Sequence, residues 1–227
     1  MRWYACPEGD KHQLRFAPQL FSGEKANDPE QVRLREFTND TAALLAASRV
    51  EGPWALRLDV GLPAGDLLKD RDVDNYAYPL ARRLKQDHPG LVSVWCTKQR
   101  GTQSFVRIEA AREVHVPSAD VLRVRTTASW EAHAAKEQIR AAVADATELP
   151  AGPVKLELAF VIGASSRRSW VNLWKKTIDP LGSLLGHDQP FNVWSPRDGR
   201  ITELGMHVSV DPSLGYDVVI GISATPV

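Results

Sequence analysis

Gly52-Pro53-Trp54-Ala55-Leu56-Arg57-Leu58 and Gly152-Pro153-Val154-Lys155-Leu156-Glu157-Leu158 are one phrase written twice. After each comes a loop and then a segment of helical composition. In the first half it is Asp74-Asn75-Tyr76-Ala77-Tyr78-Pro79-Leu80-Ala81-Arg82-Arg83-Leu84, in the second Val171-Asn172-Leu173-Trp174-Lys175-Lys176-Thr177-Ile178-Asp179-Pro180-Leu181. The copies are offset by 100 residues at the Gly-Pro and by 97 at the Asn, so the first carries three extra loop residues. The acids are unevenly shared. Asp70, Asp72 and Asp74 precede the first Asn, whereas Ser169 and Val171 stand where Asp72 and Asp74 would fall.

Working outward, Trp54 to Leu62 reads as a strand with Trp54, Leu56, Leu58 and Val60 on one face. Asp28-Pro29-Glu30 is a helix start, an N-cap acid followed by Pro at N1. That helix is expected to run to about Arg49, with a break near Thr38-Asn39-Asp40. The next helix puts Val73, Ala77, Leu80 and Leu84 on one side. Leu91–Thr97 and Ser104–Ala110 flank Lys98-Gln99-Arg100-Gly101-Thr102 and are expected to form a hairpin. Residues 2–6 read as an opening strand, and 112–120, with Pro117, as a linker. The second half repeats the order: strand from Val121, helix capped by Ser129, strand Val154–Ile162, helix over 171–185, and strands Ile201–Val210 and Tyr216–Ser223. The expected fold class is α+β, two tandem copies (1–116 and 117–227) of a small mixed-sheet domain paired as an intramolecular pseudo-dimer.

Composition narrows the function. Of 227 residues, 43% are apolar and 25% charged, as in ordinary globular chains. Acids and bases number 28 each, so no global field draws the chain to nucleic acid or anionic lipid. Two cysteines, Cys6 and Cys96, without a CxxC, argue against a zinc ribbon or disulfide scaffold and fit a reducing cytoplasm. No apolar run approaches a membrane span and Met1-Arg2-Trp3-Tyr4 lacks a signal-peptide core, so a cytoplasmic protein with no membrane partner is expected. Six histidines show neither HxH nor HExxH, and GxGxxG, P-loop and GxSxG patterns are missing.

Asp70-Arg71-Asp72-Val73-Asp74-Asn75 is the sharpest chemical signal. Carboxylates two apart on an extended loop can converge on Mg²⁺ or Mn²⁺, the arrangement that serves phosphoryl transfer. A calcium loop is rejected because the residue at its twelfth position is Ala81, not Glu. The plain alternative is a helix start favoured by negative charge. Arg82-Arg83-Lys85, Lys98-Arg100, Arg167-Arg168 and Lys175-Lys176 are basic clusters able to hold phosphates, or else surface charge balanced by the acids. Of seven tryptophans, Trp54 is read as core. Trp170, Trp174 and Trp194 flank the second-half loop, where burial is the commoner role and base stacking the rarer.

The order strand, DxDN, helix with a following Pro, then two strands resembles the RusA family of Holliday-junction resolvases, which carries a segment D-x-D-N-x-x-K-P-x-x-D-A-L. The first half keeps Asp72, Asp74, Asn75, Pro79 and Leu84 but has Tyr78 for the lysine and Arg82 for the late acid. The second keeps Asn172, Lys175, Asp179 and Leu181 without the leading acids. After the helix the family has a Trp and an acidic pair; here Trp194 and Asp198 answer in half two, and Asp87 or His88 in half one. The resemblance implies a dimer cleaving branched DNA with Mg²⁺, three acids and a lysine. It places Asp72, Asp74 and Lys175 in catalysis, Asp70, Asp72, Asp74, Asp87, His88 and Asp198 as metal candidates, and Arg82, Arg83, Lys98, Arg100, Arg167, Arg168 and Lys176 on DNA. A site mixing Asp72 and Asp74 with Lys175 across the pseudo-dimer is one arrangement, and pairing of two chains as a further homodimer is another. The competing class is a catalytically inactive module that keeps the architecture and binds junctions or a protein partner.

Overall fold

The computed structural model describes residues 1–227 apart from 22–27, 49, 64, 66, 70, 118–119, 131, 164–168 and 190. It is a mixed α+β structure built on one eight-stranded sheet, with five α-helices among the described residues. The elements are β1 (Trp3–Tyr4), β2 (His12–Gln13), α1 (Pro29–Leu45), β3 (Trp54–Leu62), α2 (Val73–Asp87), β4 (Leu91–Arg100), β5 (Phe105–Ala110) and β6 (Glu113–Val114). Then follow β7 (Leu122–Thr126), α3 (His133–Ala142), β8 (Val154–Ile162), α4 (Trp174–Ile178), α5 (Gly182–Leu185), β9 (Ile201–Val210) and β10 (Val218–Pro226). Short 3-10 turns precede α4 (Trp170–Leu173) and β9 (Asp198–Arg200). No helix among the described residues is long and apolar enough to cross a membrane.

The large sheet runs β2-β5-β3-β4-β9-β8-β10-β7. The hairpin expected of β4 and β5 does not form, because β3 lies between them, parallel to β4 and antiparallel to β5. β8 likewise separates β9 from β10. Alternating apolar residues say which face of a strand is buried, not which strand is its neighbour. Trp54, Leu56, Leu58 and Val60 are at most 2% exposed, and Ala55 and Asp59 on the other face are buried too. A strand buried on both faces belongs in the interior of the sheet. Glycine permits the crossing. A Cβ on Gly61 would lie 2.1 Å from the Gln103 carbonyl oxygen, and one on Gly163 would lie 1.9 Å from that of Gly215. Each connection therefore passes directly over the end of the central strand.

The registers on either side of the sheet's centre agree in detail. Trp54 pairs with Leu91 and Ala55 with Ser93, a one-residue irregularity; Val154 pairs with Ile201 and Lys155 with Glu203, the same irregularity. At the centre β4 meets β9 antiparallel, with Ser93 opposite His207, Trp95 opposite Gly205 and Thr97 opposite Glu203. Trp95 needs the glycine, since a Cβ there would sit 2.9 Å from its ring. One hydrophobic cluster runs through both halves. The stretches 1–116 and 117–227, lobe one and lobe two, each supply four strands to this one sheet.

Local differences from expectation have local causes. α1 is unbroken because the Thr38 and Thr41 hydroxyls donate to the Leu34 and Phe37 carbonyls (3.0 and 2.8 Å), satisfying themselves inside the helix. α2 continues through its internal Pro79, and its stripe of Val73, Ala77, Leu80 and Leu84 is buried. The helix expected over 171–185 breaks into a 3-10 turn, α4 and α5. Pro180 has no N–H to continue the ladder. The opening strand and the supposed linker pair with each other as β1 and β6. Trp3 and Tyr4 then pack against His207, which is fully buried between Ser93 (Oγ to Nδ1 3.0 Å) and Glu157 (Nε2 to Oε2 3.6 Å). Ser93 is fully buried as well, so this Ser-His-Glu row is an internal brace of the β4–β9 seam and presents no nucleophile.

Candidate functional site

Because β3 and β4 are parallel and β4 and β9 antiparallel, the loop leaving β3 and the turn entering β9 meet at one end of the sheet. The loop carries Asp72, the N-cap residue of α2, and Asp74 in its first turn. The turn carries Asp198. Asp72 Oδ2 accepts from Asn75 Nδ2 at 3.1 Å. Arg71, immediately before it, holds φ at 61°, left-handed backbone that a residue with a Cβ rarely adopts. α4 contributes Lys175, with its Nζ 3.7 Å from Asp179.

These groups act on each other's ionisation. Burial is the main cause that pushes Asp74 up to about 6, with Asp72 and Asp179 raising it further and Lys175 opposing. Burial likewise pushes Asp198 up to about 7, Asp72 being the strongest charge on it and Lys175 again opposing. Burial alone would lower Lys175, but Asp74, Asp179, Asp198 and Asp72 together hold it above the ordinary lysine value. Four carboxylates act on Lys175, and two of them, Asp74 and Asp198, are held above the ordinary carboxylate range chiefly by burial. Four expected site residues, Asp72, Asp74, Lys175 and Asp198, are therefore gathered from both lobes into one electrostatic unit.

Two clefts open on this unit. One, of about 540 Å³, is lined by Asp72, Asp198, Lys69 and Arg71 with Asp188 and Ser195. The other, of about 320 Å³, lies between α2 and α4 and takes in Asp74 and Lys175. The donor set is carboxylate oxygen, which suits Mg²⁺ or Mn²⁺, and a divalent ion is the charge the cluster lacks. Among the described residues no three His, Cys, Asp or Glu side chains are already gathered tightly enough to enclose an ion. The residues fit such an ion by chemistry and charge, and side-chain rotation must bring the oxygens together.

Other expectations are corrected. Asp87 lies at the far end of α2, about 20 Å from Asp72 along a helix of 15 residues, where it pairs with Arg83. His88 is the C-cap residue of that helix and its ring packs edge-on to Trp54. Neither belongs to the cluster. His88 stands three residues before Leu91 as Asp198 stands three before Ile201, so the two are equivalent by strand register, and the acid survives only in lobe two.

Lys98 is not a surface phosphate contact. It is buried, and its Nζ donates to the carbonyls of Arg71 (3.3 Å) and Gly199 (2.5 Å), tying the Asp72 loop to the Asp198 turn. A lysine inside the apolar strand Leu91–Arg100 was the available signal. Asp179 also joins the cluster and bonds Lys136 of α3. Of the remaining basic candidates, Arg82 and Arg100 are exposed, Arg83 is occupied by Asn39 and Asp87, and Lys176 donates to the Trp130 carbonyl beside the smaller cleft. Asp70, Arg167 and Arg168 lie outside the described residues.

No family model matches the chain, and no curated protein does. Among solved structures, a cyanuric acid hydrolase described as evolutionary innovation by structural concatenation overlaps at 14% identity, covering 95% of this chain and 67% of that one, with a TM-score of 0.23. The cyanuric acid hydrolase from A. caulinodans overlaps at 12% identity, with the same coverage and a TM-score of 0.23. Scores that low bear on neither the fold nor the chemistry of this chain.

Proposed function

We propose that this protein is a divalent-metal-dependent endonuclease, similar to the RusA-type resolvases, that hydrolyses phosphodiesters in branched or structured DNA. The observation that carries the reading is the coupling of Asp72 and Asp74 from lobe one with Lys175 and Asp198 from lobe two. The matched registers about the Trp95–Gly205 pair support a tandem duplication fused into a pseudo-dimer. Such a pseudo-dimer has two composite sites by symmetry. One unites Asp72 and Asp74 with Lys175 and Asp198. In the other, Ser169 and Val171 replace the acids, Tyr78 the lysine, and His88 the third acid.

Asp72, Asp74 and Asp198 would hold the ion, which when bound polarises the scissile phosphate and lowers the pKa of an attacking water. Lys175 offsets the cluster's negative charge and would meet a phosphate oxygen of the bound strand. Asp198, raised by burial and by Asp72, would have to give up its proton before it could hold the ion. With one complete site per chain, each molecule nicks one strand, and two cuts require two molecules.

The test is cleavage of a four-way junction in Mg²⁺ by an Asp72→Asn, Asp74→Asn double variant. A loss of about a thousandfold or more is expected, matching the several kcal/mol such a metal supplies. Undiminished cleavage overturns the reading. An inactive junction-binding module is separated by Mn²⁺ titration: the enzyme gains thermal stability from the ion, the module does not.

A further inference from the structure

The cleft between α2 and α4 contains three residue pairs related by the internal repeat: Asp74 with Val171, Asn75 with Asn172, and Tyr78 with Lys175. One end therefore holds the charged members of the surviving site. The other end is what remains of the site that lost its acids, and it has become aromatic. Tyr78 packs edge-on to Trp174 (6.4 Å) and to Phe21 (5.1 Å), and Phe21 stays 43% exposed at the mouth. The Phe21 N–H donates to the Asn75 carbonyl at 3.0 Å, holding its backbone beside the cleft that its side chain lines. Tyr78 Oη donates to Asn172 Oδ1 at 3.1 Å, which leaves the Asn172 amide N–H groups uncommitted by that bond.

We infer that this slot, rebuilt from the lost half-site, holds an unstacked nucleobase of the strand cut at Asp72 and Asp74. A volume of about 320 Å³ is at the small end of ligand sites, suited to one planar ring system rather than a larger ligand. An open aromatic face, apolar walls and a polar donor aimed at a base edge are how extruded bases are received. Lys136, Lys175 and Lys176 line the slot together with Asp74 and Asp179, so its walls carry positive charge beside the acids. The slot thus converts the vanished symmetry into strand polarity: base on one side, scissile phosphate on the other. The inference rests on the nuclease reading for the identity of its occupant.

The experiment uses a single-stranded deoxydecanucleotide carrying one 2-aminopurine, with EDTA present so that neither metal nor cleavage intervenes. The native protein is expected to bind it and quench the 2-aminopurine by stacking. Phe21→Ala is expected to weaken binding roughly five- to hundredfold and to abolish the quench. Asn172→Leu, at an exposed position, checks the same slot from its other wall and should also weaken binding. Asp87→Asn, at the far end of α2 and outside the slot, should leave the quench intact. Native protein that neither binds nor quenches, or Phe21→Ala and Asn172→Leu proteins that bind and quench as the native one does, overturn the slot. Slot variants that lose the quench while the aspartate double variant still cleaves would instead retain the slot and remove the nuclease assignment.

Discussion

The two lobes share a topology and have opposite deficits. Lobe one retains the leading acids on a helix whose lysine position is Tyr78. Lobe two retains Lys175, Asp179 and Asp198 on a segment whose acid positions are Ser169 and Val171. Judged singly, each lobe is a degenerate copy. Placed across the β4–β9 seam, the remainders complete each other, because the antiparallel junction brings the exit of β3 in one lobe against the entry of β9 in the other. On the proposed reading, a fused pair could lose residues in this complementary way, since each half-site would be encoded once per chain.

The comparison breaks first at the lysine. Lys175→Ala removes a cation that lowers both Asp74 and Asp198, although it lies in the lobe without leading acids. Junction cleavage at saturating Mg²⁺ should fall about a hundredfold, the scale of losing one charged group aimed at developing charge. Full activity would mean that lobe one works alone.

A smaller effect concerns pH. Asp74 and Asp198 have folded-state values raised to about 6 and about 7 from an ordinary 3.8. A raised acid favours folding while protonated, so its contribution is complete below pH 3.8 and is lost as pH climbs through 6 and 7. Ion-free protein should therefore lose stability from these two groups between pH 4 and 7. Asp198→Asn should recover on the order of 2 kcal/mol at pH 8 in a thermal melt with EDTA. Mn²⁺ affinity should run the other way, rising over the same window as the carboxylates shed their protons. A flat melt profile in the native protein would sink both statements.

The smallest effect belongs to the residue that the second acid of lobe one suggested. Asp87→Asn should change junction cleavage less than twofold and stability by under about 0.5 kcal/mol, since it removes only a surface pair with Arg83. A large loss of cleavage would return Asp87 to the site and dissolve the contrast between the lobes.

Much of this was legible in the chain. The strands Trp54–Leu62, Val154–Ile162 and Ile201–Val210 coincide with expectation to the residue, because period-two apolar patterns bounded by Gly and Pro are local facts. The stripe of α2 is equally local. Strand order was not, since Gly61 and Gly163 reveal their reason only once a loop is seen to lie across them. The same holds for Lys98. Its composition suggested a phosphate contact, and its burial beneath two backbone carbonyls made it the tie between two site segments.

By itself, the order of residues determined where most of the strands and the first helices lie, and which half of the chain carries which charged groups. Periodicity and side-chain chemistry act over a few neighbours, so they survive in one dimension. Only the tertiary structure decided that Asp72 faces Asp198 while Asp87 and His88 stand far off. That choice depends on how β4 meets β9, a contact between residues more than 100 positions apart, and no local pattern encodes the partner of a strand.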